Sequence, residues 1–189
     1  MSNIHVKREQ VVDAKPEDVY TILADYKGKH KQILTPNFQD YNVEKGGRGS
    51  GTVVSYRLLA GGRERFYRMH VDEPVKGKVI TERDSDSSLM TTWTLSPLKD
   101  GQQTMVSVAS EWTGGTGVGG FFERVFAPIG LRRIYTNMLS LLKLLVQPAD
   151  KSTEVEKRKG SMTSKIGSLL FVVALLLVFV SIVRYLRKA

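Results

Sequence analysis

The apolar residues near the N-terminus change their spacing between residues 4 and 26. Segment 4–12 is rich in β-branched residues and is predicted to form a strand. A short amphipathic helix is predicted over 16–26, because Pro16 suits a first-turn position and apolar residues recur at i, i+3, i+4 and i+7. Those apolar residues are Val19, Ile22, Leu23 and Tyr26.

Six further apolar and β-branched runs follow, separated by short segments rich in Gly, Pro, Asp and Ser. The predicted strands are 39–44, 52–59, 64–72, 78–83, 89–98 and 104–112. Because the gaps are too short for helical crossovers, these strands should form an antiparallel meander. The last two alternate strongly, which gives the sheet one apolar face. That face carries Thr91, Trp93, Leu95, Val106, Val108, Ser110 and Trp112.

A long amphipathic helix over 120–146 is predicted to cover the apolar face of the sheet. Its apolar side chains recur at helical spacing, and its polar ones fall on the opposite side. Pro128 and Gly130 should bend this helix near its first third. A bent helix on a curved sheet leaves space between the two layers, so we expect a cavity there.

Residues 166–183, IGSLLFVVALLLVFVSIV, form a run of 18 residues without a charge, and basic residues bracket it. As a helix rising about 1.5 Å per residue, the run would be roughly 27 Å long, close to the ~30 Å hydrocarbon thickness of a bilayer. We therefore predict one C-terminal transmembrane helix over 166–185, with Tyr185 at the headgroup boundary. The alternative is a buried helix of a larger fold.

The remaining boundaries divide the chain into a domain, a linker, the membrane helix and a tail. Residues 1–147 form the predicted domain, 148–165 a flexible basic linker and 186–189 a short basic tail. The basic residues of the linker either hold it near anionic lipid or are simply solvated. Since the first ten residues contain no apolar run typical of a secretory signal, we expect a tail-anchored protein whose domain faces the cytoplasm.

Composition excludes several kinds of site. The chain has a net charge of +9, but residues 148–189 carry 8 basic and 3 acidic residues, so the domain is nearly neutral and no nucleic-acid partner is expected. The absence of Cys excludes disulfides, thiol nucleophiles and cysteine metal sites. His5, His30 and His70 are isolated and lack ligand spacing, so we predict no metal site and assign them to the surface or a strand face.

Sequence motifs identify no cofactor and no catalytic residue. Segment 115–120 matches G-x-G-x-x-G, but a dinucleotide site needs a parallel βαβ unit and an acidic residue about 20 positions later. We interpret it as a hinge at the start of the covering helix. No G-x-S-x-G elbow supports nucleophilic catalysis. Strand 78–83 has no clear polarity pattern and leaves open whether Glu82 or Arg83 points inward to bind a ligand headgroup.

The order of these elements resembles the START-like helix-grip superfamily, in particular its polyketide cyclase/dehydrase-like SRPBCC group. The resemblance covers about residues 3–147 and depends on 11–20 (VVDAKPEDVY), 93–97 (WTLSP) followed by Asp-Gly at 100–101, and the Gly-rich entry to 121–145. It implies an α+β fold, in which an antiparallel sheet of about seven strands wraps a long C-terminal helix. It also implies an apolar cavity that holds lipids, sterols, quinones, polyketides or plant hormones in different members.

The leading hypothesis is a membrane-anchored domain that binds or transfers a hydrophobic, lipid-like molecule between the sheet and the long helix. Fold alone does not assign the ligand. The expected lining residues, which could instead be core, are Trp93, Trp112, Val108, Phe122, Phe126 and Met138.

The second hypothesis is a cyclase- or dehydratase-like enzyme that uses the same cavity. Its candidate polar residues are Arg68, Glu82, Arg83 and Glu111, with Glu111 opposite the apolar set. A polar cluster at the cavity floor would favour the enzyme, and an all-apolar floor would favour binding alone. A filled core would indicate a ligand-free interaction module tethered to the membrane.

Overall fold

A computed structural model describes residues 3–60 and 62–146, and the side chains of all of these except 117–119 and 121–123. The predicted linker over 148–165, the transmembrane helix over 166–185 and the tail lie outside the described residues. No helix in the described part of the chain is long and apolar enough to cross a membrane.

Within residues 3–60 and 62–146, seven strands form one antiparallel sheet. They are β1 (Asn3–Val12), β2 (Phe38–Lys45), β3 (Val53–Ala60), β4 (Arg63–Val75), β5 (Val79–Asp84), β6 (Met90–Leu98) and β7 (Gln103–Thr113). Their order across the sheet is β1-β7-β6-β5-β4-β3-β2. Each predicted strand is confirmed to within three residues at either end. The antiparallel meander from β2 to β7 is confirmed too, and β1 joins it beside β7.

Two α-helices, α1 (Pro16–Leu23) and α2 (Gly117–Val146), pack against the sheet. The alternation of β6 and β7 points one side of each strand inward, so that Trp93, Leu95 and Val106 are buried there. Met138 and Leu142 of α2 belong to the same hydrophobic core. The long covering helix is therefore confirmed, and the helix-grip arrangement with it. Pro128 lies inside α2, where the predicted bend stays a prediction.

Helix α1 is shorter than the sequence predicts, because it ends at Leu23 and not at Tyr26. The Asp25 carboxylate accepts hydrogen bonds from the backbone N–H groups of Gly28 and Lys29, at 3.1 and 3.2 Å. An aspartate that caps the following turn offers the backbone an alternative to further helix. Tyr26 thereby leaves the helix, and a 3-10 turn over His30–Ile33, which the sequence does not predict, follows it.

Close packing in the first turn of α2 requires a glycine at position 120. A Cβ at Gly120 would lie 2.0 Å from the carbonyl oxygen of Gly115, so only glycine permits this approach of the backbone to itself. Every pairing between the described strands is antiparallel, and a dinucleotide fingerprint requires a parallel unit. The described strands therefore provide no parallel unit for the G-x-G-x-x-G segment 115–120.

Candidate ligand-binding cavity

A cavity of about 130 Å³ lies between the buried face of the sheet and α2. Its lining comes from six of the strands, from the segments between α1 and β2 and between β5 and β6, and from the middle of α2. Protein interiors rarely contain voids much larger than one water molecule. Most of the walls are apolar or aromatic, with contributions from Leu34, Phe38, Tyr56, Leu58, Leu89 and Leu131.

The residues predicted to line the cavity fall into three groups. Trp93, Trp112 and Met138 are on its walls. Val108 is fully buried but belongs to the core and not to the lining, and Phe126 is 50% exposed on α2, also outside the lining. The side chain of Phe122 lies outside the described residues. Contact of any of these residues with a ligand stays a prediction.

Three polar side chains form a row across the buried face of the sheet. Glu82 of β5 lies opposite Thr91 of β6, which in turn lies opposite Ser110 of β7. All three are buried, with relative exposures of 8%, 7% and 1%, and all three line the cavity. Val71 and Val6 continue the row on its two sides. The strand register therefore concentrates the polar groups at one place on the cavity wall.

The first of two polar groupings, which we call the carboxylate cluster, consists of Tyr26, His30, Glu82 and Trp93. The hydroxyl of Tyr26 donates to Glu82 Oε1 at 2.7 Å, and the Trp93 indole Nε1–H donates to the same oxygen at 3.2 Å. Burial, followed by the nearby charge of Glu82 and the hydrogen bond to it, raises the pKa of Tyr26 well above its ordinary value. Tyr26 therefore remains a protonated donor to the carboxylate.

His30 completes the carboxylate cluster from the 3-10 turn. Its ring stacks on Tyr26 with centroids 4.4 Å apart and meets Trp93 edge-on at 6.1 Å. Nδ1 lies 2.7 Å from the carbonyl oxygen of Leu23, so Nδ1 must carry the proton that this bond shares. Nε2 lies 4.0 Å from Glu82 Oε1. Burial lowers the pKa of His30, against the opposing effects of Glu82, the Leu23 carbonyl and Asp25, so the ring is neutral at pH 7.

The second grouping, the hydroxyl cluster, consists of Thr91, Ser110 and Tyr135. The hydroxyl oxygens of Thr91 and Ser110 are 2.6 Å apart, and Ser110 also shares a hydrogen bond with the Tyr135 hydroxyl of α2. Burial raises the pKa of Tyr135 to about 12, although its hydrogen bonds to Ser110 and Thr91 act in the opposite direction. This neutral network ties α2 to the centre of the sheet.

Of the four polar residues that the sequence offered as candidates for the cavity, the structure places one in the cavity and three on the surface. Glu82 points into the cavity, whereas Arg83 is exposed. Arg68 is exposed and pairs with Glu44 at 2.7 Å. Glu111 is exposed on the side of β7 opposite the apolar set, which confirms its predicted orientation.

Sequence reasoning missed Tyr26, His30 and Tyr135 as cavity residues. His5 and His70 are exposed on strands as predicted, but the same assignment is wrong for His30, which is 3% exposed. Its burial follows from the turn that Asp25 caps, because the backbone N–H of His30 also bonds the carbonyl of Asp25 at 2.8 Å. Among the described residues, no group of three or more His, Asp or Glu side chains is placed to hold a metal ion.

Comparison with known proteins adds a family and several solved structures. Residues 3–147 match the family model described as polyketide cyclase / dehydrase and lipid transport. The chain is similar to the KanY protein, solved by NMR, with 35% identity, a TM-score of 0.68, and coverage of 78% of this chain and 100% of that one. No curated protein matches the sequence.

Two more distant structures share the fold. The Zhui aromatase/cyclase from Streptomyces sp. R1128 is 18% identical with a TM-score of 0.60, over 77% of this chain and 94% of that one. A START superfamily protein from Mycobacterium smegmatis is 15% identical with a TM-score of 0.58, over 75% and 96% of the two chains. At these identities the likeness extends to the fold alone.

Proposed function

Because the chain belongs to the polyketide cyclase/dehydrase and lipid transport family, as its sequence predicts, we propose that its domain binds or transfers a hydrophobic small molecule. The cavity of about 130 Å³ beneath α2 carries this proposal. Aromatic and aliphatic walls with a few convergent polar groups are typical of a small-molecule site. The cavity also argues against a ligand-free module, for which a filled core was expected.

The proposal includes membrane anchoring through the apolar run over 166–183. A tether would keep the cavity close to a bilayer and so raise the local concentration of a lipid-derived ligand. Helix α2 also exposes Val125, Phe126 and Ile129 near Arg124 and Arg132, a combination suited to an anionic lipid surface.

Deleting residues 166–189 should move the protein from the alkali-resistant membrane pellet to the supernatant. Equal retention of both forms would contradict the anchor.

A second candidate function is a cyclase- or dehydratase-like enzyme, and the carboxylate cluster is the observation that favours it. Such reactions move protons, and efficient proton transfer needs a positioned acid or base. His30 is neutral with a lone pair on Nε2, and the Glu82 carboxylate lies 4.0 Å away, where it would stabilise a protonated imidazole. A wild-type protein that converts its co-purified compound over time, when the Glu82→Gln variant does not, would favour this candidate over binding alone.

The binding proposal is tested by mass spectrometry of what co-purifies with the full chain, extracted with a styrene–maleic acid copolymer in place of detergent. We expect a hydrophobic compound with the wild type and its loss from Met138→Trp, because the indole would fill the cavity from its wall. Leu144→Trp is the matched control, since Leu144 is 67% exposed on the same helix. Recovery of no compound above background, or equal recovery from both variants, would count against the proposal.

A further inference from the structure

We infer that the carboxylate cluster recognises a protonated amine, so that the ligand is a hydrophobic body carrying one basic nitrogen. This inference rests on the proposed function, because it names the class of molecule that the cavity would hold. Four observations on the cavity wall carry it: the charge of Glu82, the orientation of His30, the accessibility of their unused atoms and the aromatic rings around them.

Glu82 is a buried carboxylate without a matching cation. Both of its hydrogen bonds come from neutral groups, the Tyr26 hydroxyl and the Trp93 indole, and both end on Oε1. Arg65 is the other charged residue of the described lining, but it is exposed and its guanidinium lies 5.2 Å from the centre of the Tyr67 ring. Taking a carboxylate out of water is costly unless an opposite charge compensates it. A cationic ligand group would supply that charge.

His30 places a second hydrogen-bond acceptor, its Nε2 atom, beside the Glu82 carboxylate. Because Nδ1 donates to the Leu23 carbonyl, Nε2 of the neutral ring has only a lone pair to offer. Glu82 Oε1 lies 4.0 Å from Nε2, beyond hydrogen-bonding distance, and it already accepts two hydrogen bonds, so the unused acceptor of this carboxylate is Oε2. An unused carboxylate oxygen beside an unused imidazole lone pair is satisfied by a group with several donors. An ammonium, with up to three N–H donors, meets this requirement.

The unused atoms of both residues are open to the cavity. Every completely buried side-chain nitrogen or oxygen among the described residues has a hydrogen-bond partner. No described residue donates to Glu82 Oε2 or to His30 Nε2, so neither atom is completely buried. Since both residues line the cavity, a ligand there can reach Oε2 and Nε2.

The surrounding rings favour a cation over an anion. Tyr26, Tyr41, Tyr56 and Trp93 line the cavity close to Glu82 in the fold, and aromatic faces attract organic cations. Burial raises the pKa of Tyr41 and that of Tyr56, so both remain neutral phenols. Glu82 is therefore the one anionic group of the described lining, and it would repel a carboxylate or phosphate. The apolar walls can then contact the hydrophobic part of the ligand.

The test compares four probes that share a phenyl ring: 2-phenylethylamine, 2-phenylethanol, ethylbenzene and hydrocinnamate. Both tryptophans of the chain line the cavity, so their fluorescence reports binding to the full-length protein. We expect the amine to bind about tenfold more tightly than ethylbenzene, as a hydrogen bond to a charged group provides, and hydrocinnamate to bind most weakly. The amine should also raise the melting temperature most.

Glu82→Gln should abolish most of the preference for the amine, measured as the ratio of the ethylbenzene and amine dissociation constants of the same variant. Glu111→Gln is the matched control, because it removes an exposed carboxylate on the other side of the sheet. The ranking of the four probes on the wild type tests the inference even if Glu82→Gln fails to fold.

The outcomes separate this inference from the proposed function. If ethylbenzene binds the wild type as tightly as the amine does, or if Glu82→Gln keeps the preference, amine recognition is wrong while hydrophobic binding stands. Tighter binding of 2-phenylethanol than of the amine would overturn the cationic class. Binding of none of the four would overturn both the inference and the proposed function.

Discussion

The carboxylate cluster and the hydroxyl cluster lie side by side on the same buried face, where Glu82 pairs with Thr91, and they differ in how their polar atoms are used. In the hydroxyl cluster, the side chains of Thr91, Ser110 and Tyr135 bond to one another and carry no charge. In the carboxylate cluster, Glu82 receives two donors on one oxygen only, and His30 Nε2 has no donor within reach among the described residues. A closed network is suited to holding α2 on the sheet, whereas an open one is suited to a ligand.

The largest effect is expected when the carboxylate loses a donor. Tyr26→Phe keeps the stack on His30 but removes the hydroxyl 2.7 Å from Glu82 Oε1. Because a hydrogen bond to a buried charged group is lost, the free energy of unfolding should fall by about 2–3 kcal/mol in chemical denaturation. A loss no larger than that of Tyr135→Phe would show that the two clusters do not differ as proposed.

An intermediate effect is expected from pH. The pKa of His30 is lowered by burial, so below about pH 6.5 the unfolded chain binds a proton that the folded chain does not. Its contribution to stability is present above that pH and is lost as the pH falls, by at most about 1.4 kcal/mol per unit. His30→Asn should flatten the stability curve between pH 7 and 5, since its amide can still donate to Leu23. His5→Asn, at an exposed histidine, should leave the curve unchanged, and equal curves for all three proteins would refute the assignment.

The smallest effect is expected in the hydroxyl cluster. Tyr135→Phe removes a neutral hydrogen bond and leaves Thr91 and Ser110 bonded to each other at 2.6 Å. Denaturation should show a loss of about 1 kcal/mol. Since this cluster has no charge to offer, the preference for 2-phenylethylamine should survive. A lost preference would mean that both clusters act on the ligand.

Most of the fold could be predicted from the sequence, because each element carries its own local signal. The alternation of β6 and β7 identified the buried face, and the spacing of apolar residues identified α2. The end of α1 could not be placed this way, because it depends on the carboxylate of Asp25 bonding to Gly28 and Lys29. Helix propensity and the spacing of apolar residues do not reveal that a side chain will accept backbone hydrogen bonds and so end the helix.

The candidate site was less predictable, because it arises from contacts between distant segments. Glu82 and Tyr26 are 56 residues apart, and only the fold brings the hydroxyl to the carboxylate. One local signal was present, since Thr91 and Ser110 are polar residues on a face predicted to be apolar. Hydrophobicity also placed Phe126 in the predicted lining, whereas its side chain is half exposed on α2, and its contact with a ligand stays a prediction.

The position of β1 at the edge of the sheet determines when this domain can fold during synthesis. Among the strands that the structure describes, β1 pairs with β7 alone, and the pairing joins Asn3 to Thr113. A nascent chain must therefore extend beyond residue 113 before its first strand can be paired. Val6 and Val12, fully buried in the finished domain, have no sheet to pack on until then. Such long-range pairing slows folding and leaves apolar surface open to aggregation, so chaperones that shield emerging chains should matter for this protein.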